Sequence, residues 1–354
     1  MLIAIAILGI GLLILIHEFG HFITAKAFGM RAEKFYIGFP PAAVKKQVGE
    51  TEYGIGFIPL GGYVKISGMT REEDLPEDVV PRAYYSKPVW QRIIVISAGA
   101  AMNLLLAAVL FFAFYWHGVP EYQPTTSISQ VQADSGAQQA GVQAGDKLLA
   151  INGVSSDDAK ALRNELRSHP GQTVTLLIER DGQQMTLQAN VGVNESTGEG
   201  LLGVLFDAQL VGNHSLPVTE AAVDALSDVK FITGEVFIAI KNLFISQQSR
   251  QELSSPIGIV AISSQTIDLG WGVYLRVLGF ISLQLAIFNL LPLLPLDGGH
   301  VLFNIIEKIK GSPIKREVFE RVSVVGLMLF GMLFLFGLVN DIQRLLGPGF
   351  QIQP

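Results

Sequence analysis

The chain is 354 residues long, 49% hydrophobic and only 16% charged, with a net charge of −6 and a mean hydropathy of +0.41. That balance excludes a disordered chain and offers no basic footprint for nucleic acid. The absence of cysteine excludes disulfides, thiolate metal sites and cysteine nucleophiles, so any metal must be held by His, Asp or Glu.

Taken in chain order, the first run, Met1 to Ile16, carries no charge. It then meets His17 and Glu18 and stays apolar to Ala25. A secretory signal would place basic residues ahead of such a run. Here Lys26 comes after it, so a retained membrane helix over 1–25 is expected. Residues 26–91 contain a strand pattern, Glu52–Ile58, broken by Gly54 and Gly56, then a turn and a second strand through Tyr63 to Ile66. This reads as a hydrophobic β-hairpin, either dipping into the membrane or lying beside it. A second span is expected over 92–117, with the small residues Ala98-Gly99-Ala100-Ala101 that let helices approach closely in lipid.

The segment 123–206 reads as an inserted soluble domain. Ser127–Val131, Lys147–Ile151 and Thr173–Ile178 are strand patterns. Asn152-Gly153 and Asp181-Gly182 are hairpin signals, and Asp158–Ser168 is a short helix. The order strand, strand, helix, strand, strand, with the stretch SGAQQAGVQAGDKLLAINGV, resembles a PDZ domain. Gly200-Leu201-Leu202-Gly203 is only a weak match to a PDZ carboxylate-binding loop, so a PDZ ligand stays open. Beyond it, 216–256 shows an apolar stripe of Val229, Ile232, Val236, Ile240 and Phe244, fitting a helix on the outer membrane surface or one packed on the PDZ-like domain. Third and fourth spans are expected over 274–300 and 322–341. The fold class is therefore a polytopic α-helical membrane protein of about four transmembrane helices, with a membrane-associated β-hairpin and an inserted β-rich PDZ-like domain.

Lys and Arg crowd the loops 25–91 and 297–321 and thin out over 118–270. Basic loops stay in the cytoplasm. Both termini and the PDZ-like domain are accordingly expected on the outer side.

The chemistry gathers in the first span. His17-Glu18-Phe19-Gly20-His21 is an H-E-x-x-H motif. Residues i and i+4 of a helix share a face, so two imidazoles can grip one Zn²⁺ while the intervening Glu serves as general base. Ionisable groups within an apolar span are costly and mark function. Catalytic zinc takes three protein ligands and one open position. Asp297 is the remaining ionisable group at the edge of a span, in NLLPLLPLDGGH. Pro292, Pro295 and Gly298-Gly299 interrupt the helix there, and such backbone is tolerated at membrane depth only where it is buried or lines a cavity. His300 as a fourth ligand would close the site, so it reads as a supporting or structural residue.

With H-E-F-G-H in a first span and N-x-x-P-x-x-x-L-D-G in a later one, the sequence resembles the site-2 proteases, intramembrane zinc metalloproteases. FIPLGGYVKISG, SAGAAMNLLLA, SSPIGI and PLDGGH extend the likeness over nearly the whole chain. It is most similar to the bacterial RseP-like branch, the regulator-of-sigma-E proteases, though with room for one PDZ domain where the best-known members carry two. Ala100 also stands where the family often has proline. The resemblance implies zinc binding by His17, His21 and Asp297, with Glu18 as the base. It places Asn289 near the active site as a substrate contact. Gly54, Gly56 and Tyr63 of the hairpin are further candidate substrate contacts, through addition of an unwound substrate to a sheet edge. It further implies a multi-pass protein of the bacterial inner membrane with its active site toward the cytoplasm. The implied partners are the lipid bilayer and single-span membrane proteins, such as an anti-sigma factor or a remnant signal peptide, cut after prior trimming in regulated intramembrane proteolysis. The competing reading is a non-catalytic scaffold that holds partners through the PDZ-like domain. A metal transporter would want ionisable groups in several spans, and the second and fourth offer almost none.

Overall fold

The computed structural model describes residues 1–193, 198–246, 249–250 and 253–347, without the side chains of Pro59, Leu60 and Phe244. The chain forms two compact units, an inserted one over Pro120–His214 and one built from the segments on either side.

Among the described residues, four helices are long and apolar enough to cross a membrane: α1 (Leu2–Ala27), α2 (Val89–His117), a helix over Trp271–Asn289 and one over Arg316–Leu346. In lipid a backbone must satisfy its own hydrogen bonds, so uncharged runs of this length close into helices. α1 and α2 run antiparallel. Ala25 and Met30 pack with Val95 and Ile96 at one end, while Leu13 meets Leu106 and Leu110 at the other. The crossing is close because Gly20 faces the Ala98 carbonyl, where an added Cβ would lie 2.5 Å from the oxygen.

Between α1 and α2 lie two long strands, β1 (Ala32–Val48) and β2 (Thr51–Ile66). They double back on each other. The stretch 34–37 pairs with 52–55 on one side and with 62–65 on the other, and 42–48 pairs with 51–56. The result is four strand segments wide. The two strand patterns seen in sequence, 52–58 and 63–66, are therefore not partners. Residues 32–37 are wedged between them, which a reading of local turn signals could not show. Tyr36 hydrogen-bonds Glu52 across the pairing.

The inserted unit comprises β3 (Val119–Val131), α3 (Gly136–Gln139), β4 (Lys147–Ile151), β5 (Val154–Ser155), α4 (Ala159–Arg167), β6 (Thr173–Arg180), β7 (Gln183–Asn190), β8 (Gly192–Val193), β9 (Gly200–Leu201) and β10 (Val204–His214). The main sheet has the order β10-β3-β4-β6-β7. Ile128, Leu148, Ile151, Leu162, Leu176 and Ile178 fill its core. The turns at Asn152-Gly153 and Asp181-Gly182 take positive φ at both residues, the type I′ geometry that matches strand twist. Asp158 caps α4 by accepting from the Lys160 amide at 2.8 Å.

After the insert, α5 (Val218–Ile245) packs along α2 and the next span. Val229, Ile232, Val236 and Ile240 lie against Phe111, Leu283 and Ile287. The stripe therefore faces the helix bundle. The Phe244 side chain lies outside the described residues. α6 (Pro256–Asp268) and α7 (Trp271–Asn289) follow. The helical run then stops. Residues 290–296 form turns, and α8 (Asp297–Lys310) begins at the acid itself. The last span, α9 (Arg316–Leu346), is fastened by the buried Asp341. Its Oδ2 accepts from the Ser255 amide, the Ser255 hydroxyl and the Gly258 amide at 2.7, 2.6 and 3.0 Å.

Candidate metal centre

α1 carries His17 and His21 on one face, four residues apart, with the two residues 7% and 6% exposed. Their ring centroids lie 4.8 Å apart, nearly perpendicular. α8 brings Asp297 to the same point. The turn 290–296 folds tightly onto the start of α8, which requires glycine: a Cβ on Gly298 would sit 2.3 Å from the Leu290 carbonyl oxygen, and one on Gly299 2.5 Å from the Leu294 nitrogen. Farther along α8, Glu307 accepts a two-pronged bond from the buried Arg92 of α2 at 2.9 and 3.1 Å, and a third from Arg71. Arg92 and Arg71 hold the Glu307 carboxyl below the usual carboxylate range. The helix that presents Asp297 is thus clamped to the span that packs on α1.

Three atoms converge: His17 Nε2, His21 Nε2 and Asp297 Oδ2. Their separations are 3.2 Å between the nitrogens, and 3.0 and 3.3 Å from the carboxylate oxygen to His17 and His21. Tetrahedral zinc with bonds of about 2.0–2.1 Å has ligand atoms about 3.3 Å apart, so these atoms fit one face of such a site. Among the described residues this is the cluster of His, Asp and Glu able to hold a metal. The donor chemistry agrees. His21 Nδ1 donates to the Val95 carbonyl at 2.8 Å, which leaves its Nε2 as a bare lone pair. In the neutral ring, an acceptor nitrogen facing a carboxylate oxygen suits a cation bound between them.

Gly99 of α2 lines the site. A Cβ there would fall 2.4 Å from His21 Nε2 and 2.8 Å from His17 Cε1. Glu18 sits between the two histidines in sequence, and its side chain reaches β2. Gly62 lies against the Glu18 side chain, with a would-be Cβ 3.1 Å from its Cγ. Residues 62–66 form an outer segment of the β1–β2 sheet, and a cavity of about 770 Å³ runs along it, lined by Tyr63, Val64, Lys65, Tyr84, His300 and Asn304 among others.

The other sequence candidates separate. Tyr63 is on the edge segment and lines that cavity. Gly54 lies on an inner segment paired on both sides, against the Tyr36 ring and the Val44 carbonyl. Gly56 meets the Phe39 carbonyl, and this close approach accounts for its lack of a side chain. Asn289 ends α7 and donates to the Leu285 carbonyl at 3.0 Å. His300 is not among the three convergent atoms. It lines the cavity, with its ring 5.4 Å from that of Phe319. Sequence reasoning missed Val95, which acts through its backbone carbonyl and leaves no signature. Gly99 stood in the small-residue run but was read only as helix packing.

Comparison with known proteins gives a family. A family model described as Peptidase family M50 matches residues 5–333. A Clostridium perfringens protein named "Putative zinc metalloprotease" is 33% identical over 344 residues, covering 97% of this chain and 98% of its own. A Nostoc protein of the same description is 32% identical, covering 97% and 95%. Among solved structures, the PDZ domain of an SdrC-like protein from Listeria monocytogenes is 17% identical and covers 25% of this chain and 93% of its own, with a TM-score of 0.22.

Proposed function

Because the chain belongs to peptidase family M50, we propose that it is an intramembrane zinc endopeptidase that cuts the membrane segment of single-span proteins. The observation that carries this reading is the triangle of His17, His21 and Asp297, held by apolar helices with Glu18 beside it. Zinc held by these three residues would supply Lewis-acid polarisation of the scissile carbonyl and acidify a water. Glu18 takes the proton from the attacking water and delivers it to the leaving amine nitrogen. A substrate helix hides its carbonyls in its own hydrogen bonds, so it must unwind before attack. The edge segment 62–66 offers a strand to which an unwound segment can add, satisfying its freed backbone groups. Tyr63 and the adjoining cavity then receive side chains beside the cut.

The substrates are anti-sigma factors or remnant signal peptides already trimmed outside the membrane, in a bacterial inner membrane, with the site toward the cytoplasm. A non-catalytic scaffold has no use for an acid–base group between two metal ligands. The test is cleavage of a truncated single-span substrate in detergent. Wild-type protein cuts, a zinc chelator stops it, and Glu18→Gln keeps zinc but loses about 10²–10⁴-fold in rate. Undiminished turnover by Glu18→Gln would remove Glu18 from the mechanism.

A further inference from the structure

His21 has a partner on the far side of its ring; His17 has none among the described residues. His17 Nδ1 is buried without a hydrogen-bond partner, and so are both polar atoms of the Asn103 carboxamide. Asn103 is completely enclosed, in the middle of α2. An unpaired amide in that setting is costly, and helical packing alone would prefer Leu or Ala.

Position connects the two orphans. Gly99 of α2 touches both imidazoles. Because α1 and α2 are antiparallel, one turn back along α1 from His21 is His17, and one turn forward along α2 from Gly99 is Asn103. The two side chains share a layer of the bundle. The Asn103 backbone is held there too, since its carbonyl accepts the Ser282 hydroxyl of α7 at 2.8 Å. If Nε2 of His17 is to face Asp297 as a lone pair, the ring proton must reside on Nδ1, and that proton needs an acceptor.

We propose that Asn103 is the positioning residue for His17, its side-chain oxygen accepting the Nδ1 proton through one bridging water. Asn103 thereby does for His17 what the Val95 carbonyl does for His21. The inference rests on the reading of His17, His21 and Asp297 as a zinc site.

The test uses the full-length protein in detergent and measures zinc affinity by competition with a chelator, together with thermal unfolding of the zinc-free form. Failure of the wild-type protein to bind zinc would overturn the site itself. Given wild-type binding, Asn103→Leu weakens zinc by about 10–100-fold, the usual effect of losing such a partner, while the zinc-free form melts no lower. Asn103→Asp, which keeps the acceptor, binds zinc at least as well as wild type. Binding by Asn103→Leu within about twofold of wild type overturns the proposal. So does weak binding by both variants, which would make the residue a packing element. Nitrogen-15-labelled imidazoles give a readout that holds even if the Leu variant does not fold. In Asn103→Asp the Nδ1 resonance of His17 moves and that of His21 stays. An unmoved His17 resonance, or equal shifts in both rings, sinks the idea.

Discussion

At the residue scale, the proposed metal centre depends as much on what is missing as on what is present. Asp297 supplies a charged oxygen, 3.0 Å from His17 Nε2. In Asp297→Asn the amide oxygen is an uncharged and weaker ligand, so zinc per purified chain and activity should fall together. Zinc content at the wild-type level with activity intact would move the third ligand elsewhere. Gly99 is the reverse case, since it offers no ligand at all. Its would-be Cβ overlaps His21 Nε2 at 2.4 Å, and the backbone of α2 cannot retreat while Val95 and Ile96 pack on Ala25. Gly99→Ala is therefore expected to lose zinc with all three ligands intact. Retention of a full zinc complement in a folded Gly99→Ala protein would show that the helices can part there at little cost.

At the scale of elements, the ends of strands and helices are set by individual polar groups that fold into place. Strand β6 of the insert ends on Arg180, whose guanidinium grips the buried Asp146 at 2.7 Å on both carboxylate oxygens. Arg180 and the Gln143 amide keep the Asp146 carboxyl below its usual range. A carboxyl whose folded pKa is depressed contributes stability above its unfolded value of about 3.9. That contribution is lost as pH falls through the folded value. The urea midpoint of the insert, read by pulse proteolysis of the whole protein, should thus drop on acidification below about pH 4. Asp146→Asn should start lower and lose this part of the slope. An equally steep acid limb in Asp146→Asn would assign the pH dependence to other groups.

At the scale of the whole molecule, the proposed ligands and base all lie outside Pro120–His214. Replacing 123–206 by a flexible linker should therefore spare zinc binding and the chemistry. The insert joins α2 to α5, so it is tethered to the bundle at both ends. We expect it to act as a filter: the deletion protein cuts an untrimmed single-span substrate that the intact protein refuses, and Glu18→Gln abolishes that cleavage. A deletion protein that is folded and zinc-loaded yet cuts neither trimmed nor untrimmed substrate would make the insert a docking module instead.

Much of this was legible in the sequence because it rests on local rules. Four long apolar runs must be helices in lipid, and the i, i+4 spacing puts His17 and His21 on one face whatever surrounds them. Asn-Gly and Asp-Gly turns define their hairpins by their own φ preferences. Asp297 was legible as a charge out of place, beside prolines and glycines that break a span. Other features needed the folded chain. Residues 32–37 insert between two strands that look adjacent, because pairing is a choice among distant partners. The stripe on α5 was plain, but an apolar stripe does not name its partner, and only packing showed that it faces α2 and α7. The roles of Gly62, Val95, Gly99 and Asn103 come from antiparallel helices and a sheet edge meeting at one point. A backbone carbonyl, an absent side chain or an enclosed amide acquires chemical meaning only from neighbours far away in sequence.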